Sequence, residues 1–118
     1  MTAFTLDPGR TPAQAVRLDA FLLPEAARAP FLERMAENLA FLRTLPGFQG
    51  HVVLEKRRGE GAYNLVTLAA WDSQEALDAA GLAVRAHHQQ LGLDLAGTLA
   101  GWGVQLVRAD YAAPAGLS

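Results

Sequence analysis

The stretch from Phe21 to Ala80 narrows the choice of fold more than any other part of the chain. It begins at the end of an alternating segment and passes through Pro24-Glu25 into a long amphipathic segment. Leu45-Pro46-Gly47-Phe48 breaks that segment, two strand-like runs follow, and Trp71-Asp72-Ser73 opens another helix. A Pro-Gly pair after an apolar period of three to four residues reads as a helix stop. A Gly-x-Gly turn between two apolar runs reads as a hairpin.

Extended across the chain, these signals give the order β-α-β-β-α-β. Ala15 to Leu23 alternates, with Val16, Leu18, Ala20 and Leu22 on the face assigned to the helices and Arg17, Asp19 and Phe21 on the other. Phe31, Met35, Leu39 and Leu42 form the stripe of a helix that runs to about Leu45. Pro30 fits only in its first turn, so regular helix is expected from near Ala29. Phe48–Arg57 and Ala62–Trp71 read as strands joined at Gly59-Glu60-Gly61. Asp72 or Ser73 caps a second helix reaching towards Leu91, Gly92 ends it, and Gly81 is a candidate close-packing position. Leu93 to Ala100 allows one further helical turn before a last strand, Trp102 to Tyr111. The predicted class is α+β: a ferredoxin-like unit with a four-stranded antiparallel sheet and both helices on one face. Residues 1–14 read as a leader or loop, 15–111 as the domain and 112–118 as a flexible tail.

Both faces of the third strand are apolar. Tyr63, Leu65, Thr67, Ala69 and Trp71 share one; Asn64, Val66, Leu68 and Ala70 share the other. A sheet with helices on one side and water on the other alternates apolar with polar residues. Two crossover helices cover one face, so the pattern predicts a homodimer packed through the sheet face, a dimeric α/β barrel.

Composition excludes several function classes. With 118 residues, 51% hydrophobic and 19% charged, the chain has the makings of one folded domain. A net charge of −2 gives no footprint for nucleic acid, and Lys56-Arg57-Arg58 reads as a solvated hairpin end. Without cysteine there is no disulfide, thiolate metal site or thiol nucleophile. No apolar run approaches the roughly 20 residues of a membrane helix. The N-terminus lacks the order of a secretory signal, which predicts a cytoplasmic location.

The run around Phe21–Ala80 resembles the antibiotic biosynthesis monooxygenase domain family. The resemblance is carried by Pro24-Glu25, Phe31-Leu32-Glu33-Arg34-Met35, Leu45-Pro46-Gly47-Phe48-x-Gly50 and Trp71-x-Ser73-x-Glu75-Ala76. It continues more loosely through Leu99-Ala100-Gly101-Trp102-Gly103-Val104 to Tyr111. It implies a dimeric α+β barrel and, in one branch, oxygenation of aromatic polyketides without cofactor, where a carbanion of the substrate reacts with O2. A haem-degrading branch uses an asparagine on the first strand plus a tryptophan and a histidine on the second helix. Here Asp19 stands at the asparagine position, the tryptophan position falls near Ala80, and only a histidine, His87 or His88, is retained. The pattern disfavours haem degradation.

The residues able to carry chemistry are few. A neutral imidazole accepts a proton near pH 7, so His88, on the apolar stripe of the second helix, and His87 beside it are candidate proton acceptors. His51 lies on the second strand, on the opposite face from Val52. Asp19 is the further candidate for handling a proton; it is expected to point into the space between two sheets, either desolvated or paired with Arg17 on the same face, itself a candidate substrate contact. Phe21, Tyr63, Trp71 and Trp102 are candidates to line an aromatic cavity, and Asn64 to orient a carbonyl. His87 and His88 diverge by about 100° and do not chelate one ion together, so no metal is expected. No Gly-rich phosphate loop and no nucleophile elbow is present. The leading expectation is a cofactor-independent monooxygenase-like enzyme acting on a small or polycyclic aromatic of quinol or anthrone type. The alternatives are a non-catalytic dimeric binding or regulatory domain, and an isomerase or decarboxylase in the same barrel.

Overall fold

In a computed structural model, which describes residues 14–114, the chain forms a four-stranded antiparallel sheet backed on one face by helices. The expectations for the first 13 residues and for the end of the tail lie outside the described residues. In chain order the elements are β1 (Ala15–Leu22), α1 (Arg28–Leu42), β2 (Phe48–Glu55), β3 (Leu65–Trp71), α2 (Gln74–Gln90), α3 (Leu95–Gly101) and β4 (Gln105–Tyr111). The sheet order is β2-β3-β1-β4, so each long helix crosses over an inserted strand, as in a ferredoxin-like fold. No helix among the described residues is long and apolar enough to cross a membrane.

Local chemistry explains the boundaries. A single 3₁₀ turn, Glu25–Ala27, follows Pro24. Pro30 is the third residue of α1, where its missing N–H would have had no helical partner in any case. Ser73, rather than Asp72, caps α2, its Oγ accepting from the Ala76 N–H at 3.1 Å. Asp72 accepts instead from Gln49 Nε2 at 2.6 Å. Gly47 has φ +82°, and a Cβ there would come within 2.7 Å of the Ala76 Cβ, so α1 turns into β2 only with glycine. Asp94 caps α3 through the Gly97 N–H at 3.0 Å.

The structure reverses the expected facing of β1. Arg17, Asp19 and Phe21 turn towards the helices, and Val16, Leu18, Ala20 and Leu22 lie on the open face. The reversal follows from the aromatic residues. Phe21 packs edge-on against Phe31 of α1 at 4.9 Å, with Leu23, Ala27, Leu65 and Val104 completing that half of the core. Trp71 packs with Ala15, Leu77 and Ala80 in the other half. Phe21 and Trp71, both almost fully buried, bring the large aromatic rings of these strands onto the side that the helices cover. Asp19 therefore does not point between two sheets.

On β2 the strict alternation fails for a different reason. A bulge between Phe48 and Gly50 adds one residue, so Phe48 sits opposite Trp71 and shares the helix-side face with His51 and Val53. The strands themselves are shorter than predicted, ending at Glu55 and beginning at Leu65.

The open face is apolar along every strand. By register it carries Val16, Leu18 and Ala20 of β1, Val66 and Leu68 of β3, Val52 and Leu54 of β2, and Val107, Ala109 and Tyr111 of β4. Leu54, Val107 and Tyr111 are at least half exposed.

Candidate functional site

Between the sheet and the helices lies a cavity of about 190 Å³. Its floor is the helix-side face of the sheet: Arg17, Asp19 and Phe21 of β1, Thr67, Ala69 and Trp71 of β3, His51 of β2, Leu106 and Arg108 of β4. Phe31, Arg34, Met35, Asn38, Leu39 and Leu42 of α1 form one wall. Leu77, Ala80, Gly81, Val84 and His88 of α2 form the other, and Leu95 and Leu99 of α3 close one end. The arrangement arises because the α1 stripe does not reach the floor everywhere: alanine and glycine at positions 69, 80 and 81 leave space between the layers.

Charge on the floor is paired across strands. Antiparallel register sets Arg17 opposite Asp110 and Asp19 opposite Arg108. Arg108 donates to both Asp19 oxygens, at 2.7 and 3.0 Å, and Arg17 to both Asp110 oxygens, at 2.8 and 3.2 Å. The expected Arg17–Asp19 pair is thus replaced by two bidentate pairs with β4, because residues opposite one another across a ladder lie closer than i and i+2. The hydrogen bond to Asp19 holds the Arg108 pKa above its ordinary value against the opposing effect of burial. The Arg17 hydrogen bond, with help from Gln74, holds Asp110 below the usual carboxylate range.

The histidines separate. His88 lines the cavity, and its pKa is lowered by burial first and then by the charges of His87 and Arg34. His51 also lines it and is lowered by burial and by Arg43. Both are therefore held in the neutral form that accepts a proton. His87 stands apart: its ring stacks on Phe41 of α1 at 4.0 Å, nearly parallel, outside the cavity lining.

Of the four aromatic candidates the structure brings Phe21 and Trp71 to the cavity. Tyr63 lies before β3 and is exposed, and Trp102 packs beside the Phe21 cluster behind the lining residues. Asn64 is occupied elsewhere, accepting from the Leu23 N–H and donating to the Leu23 carbonyl, both at 2.8 Å. Those bonds pin the end of β1 and leave no group to orient a carbonyl. Three cavity residues, Arg34, Asn38 and Arg108, were not among the sequence candidates. Arg108 was within reach of them, since Arg17-x-Asp19 and Arg108-x-Asp110 are complementary when run antiparallel.

No group of three or more acidic or histidine side chains among the described residues is placed to hold a metal.

A split β-α-β sheet with a partly polar cavity under its helices defines a ferredoxin-like α+β domain with open space between its layers. The sequence profile of the antibiotic biosynthesis monooxygenase family matches residues 18–89, and the chain belongs to that family. Solved structures share the fold. SnoaB, a cofactor-independent oxygenase from Streptomyces nogalater, superposes with a TM-score of 0.66 at 21% identity, over 89% of this chain and 97% of SnoaB. A conserved protein from Methanosarcina mazei Go1 gives 0.66 at 15% identity, over 90% and 99%. The haem-degrading protein Rv3592 from Mycobacterium tuberculosis gives 0.51 at 22% identity, over 87% and 96%. No curated protein sequence matches the chain. At these identities the structural likeness speaks for the fold alone.

Proposed function

We propose that the chain is a cofactor-independent monooxygenase-like enzyme that oxygenates a small aromatic of quinol or anthrone type through a carbanion. One observation carries the reading: a partly polar cavity with Phe21 and Trp71 on its floor is lined by the imidazole of His88, whose pKa is lowered by burial and then by the charges of His87 and Arg34. SnoaB, which shares the fold, supplies the precedent for oxygenation without cofactor.

With an anthrone, His88 takes the acidic proton of the activated methylene flanked by aromatic rings. The carbanion passes one electron to O2, and the resulting radical and superoxide combine into a C–O bond. The peroxide takes back a proton and then loses water, so one methylene and one O2 become one carbonyl and one water. Arg34 stabilises negative charge on the conjugated oxygen while the proton is away. Asp19, whose two oxygens are already held by Arg108, lines the floor as a positioning group, and Arg17 does the same through Asp110.

Volume supports a small substrate. An apolar cavity near 150 Å³ accommodates benzene, so about 190 Å³ takes the reacting ring of a small aromatic and falls short of a porphyrin. Asp19 tied to Arg108 and the buried Ala80 further weigh against haem. The open apolar face supports a homodimer packed sheet to sheet.

Oxygen uptake over a panel of anthrones and hydroquinones tests the reading. Wild type is expected to exceed autoxidation on at least one, with one O2 consumed per substrate. His88→Gln is expected to lose about 100-fold or more, the usual share of general-base catalysis. Uptake equal to autoxidation across the panel, or His88→Gln equal to wild type, contradicts it.

A further inference from the structure

Sulfur is scarce in this chain, which has no cysteine and two methionines, Met1 and Met35. Met35 is the one that lies within the described residues. It belongs to the inward stripe of α1, with Phe31 one turn before it and Leu39 one turn after. The exposed residues Glu33, Glu37 and Ala40 lie on the opposite side of that helix. Phe31 is almost wholly buried, whereas Met35 keeps part of its surface accessible. An inward side chain with accessible surface faces open space inside the molecule, and Met35 indeed lines the cavity between sheet and helices. It also packs against the half of the core built on Phe21 and Phe31.

A thioether in such a place is open to one kind of chemistry. Its lone pair attacks one oxygen of a hydroperoxide, and the O–O bond breaks as the S–O bond forms. Sulfur gives up two electrons. The proton on the oxygen it gains passes to the departing oxygen, which leaves as water or, from an organic hydroperoxide, as the alcohol. Hydrogen peroxide is uncharged and little larger than water, so a cavity of about 190 Å³ admits it. No thiol in the chain competes for the oxidant.

We propose that Met35 is an oxidation site. Hydroperoxide in the cavity converts its thioether to the sulfoxide, and the polar S–O group loosens the packing of α1 against the Phe21 half of the core. The change is reversible in kind, because sulfoxide is the rung of methionine oxidation that reductases repair. This goes beyond the oxygenase reading and does not depend on it, since any hydroperoxide serves.

Hydrogen peroxide added to the folded protein, with N-acetylmethionine as competitor and the oxidised peptide located by mass spectrometry, tests the site. Met35 is expected to gain one oxygen at a rate less than about 1,000-fold below that of the competitor, because access through unfolding of the whole domain imposes at least that factor. The rate is expected to stay flat in urea below the unfolding transition, where a route through unfolding would climb with denaturant. Ala69→Leu puts a larger side chain on the cavity floor and is expected to slow the oxidation by about 10-fold or more. Gly81→Leu, on the α2 wall, replaces it should the first variant fail to fold by circular dichroism. The oxidised protein is expected to melt about 4 °C or more below the untreated one, while Met35→Leu is unmoved by the same treatment. A slower reaction, a rate that climbs with urea, no slowing in the filled variant, or an unshifted midpoint once Met35 is oxidised overturns the proposal. The peroxide is supplied from outside, so the oxygenase reading stands or falls on its own assay.

Discussion

The Asp19–Arg108 pair offers a test whose size and asymmetry both follow from geometry. Its two hydrogen bonds are short and bidentate, at 2.7 and 3.0 Å, yet its ends differ: the Asp19 side chain is 13% exposed and that of Arg108 48%. Exposed pairs contribute about 0.2–1 kcal/mol, and breaking a fully buried pair costs about 3–5 kcal/mol. A pair with one dry and one half-wet end belongs between these, so a double-mutant cycle is expected to give a coupling of about 1–2 kcal/mol. Asp19→Asn strands a guanidinium that water can still reach and keeps one amide oxygen as acceptor. Arg108→Met strands a carboxylate that is almost wholly buried. Arg108→Met is therefore expected to cost about 1 kcal/mol more than Asp19→Asn. Urea unfolding followed by fluorescence suits the measurement, because Trp71 sits 3% exposed in the core. The reverse order of the single variants, or coupling below about 0.3 kcal/mol, would refute the assignment of burial to the two ends.

Four further outcomes follow from the structure. His51 and His88 have folded pKa values below the ordinary 6.5, so as pH falls through that value the unfolded chain binds protons that the folded chain resists. Stability is expected to be full above about pH 7 and to decline towards pH 5, and the double variant with glutamine at both positions to flatten the decline; a rise in urea midpoint on acidification contradicts the placement of these rings. Gly81 lies in α2, where an added methyl would stand 3.9 Å from Arg17 Nη1, so Gly81→Ala is expected to stabilise by about 0.5–1 kcal/mol. Gly47→Ala, clashing at positive φ, is expected to destabilise by more than about 1 kcal/mol; equal thermal midpoints for the two variants would be inconsistent with both. Light scattering after size exclusion is expected to find a dimer at low micromolar concentration, and Val107→Glu on the open sheet face to shift it to monomer; a wild-type monomer contradicts the sheet-to-sheet packing.

Much of the architecture was legible because each boundary has its own local chemistry. Pro30 in a first turn, Gly47 at positive φ and Ser73 as a cap are short-range demands that a few neighbouring residues reveal. Facing was harder to read. On β1 both sets of alternating residues are plausible core, and only the long-range meeting of Phe21 with Phe31 chooses between them. The bulge between Phe48 and Gly50 breaks the strict alternation of β2 and sets Phe48 on the same face as Val53, and a one-residue insertion leaves no periodic trace.

The site was legible only in part, for the same reason. Asp19, Arg17, Phe21, Trp71 and His88 meet at one cavity because register and helix packing bring them there. Tyr63 and Trp102 share the chemical type and miss the cavity by position, and His87 differs from His88 by one step around α2 and stacks on Phe41. Arg34 and Asn38 sat among the polar residues of an amphipathic helix.

The most direct test of the central claim is isotopic. With an anthrone or hydroquinone that the enzyme turns over, incubation under ¹⁸O₂ in unlabelled water, after dialysis against a chelator, is expected to place one labelled oxygen atom in each product molecule by mass spectrometry. Product bearing no label, or conversion that stops on dialysis and returns only with an added metal or flavin, contradicts oxygenation by the substrate's own carbanion in this cavity.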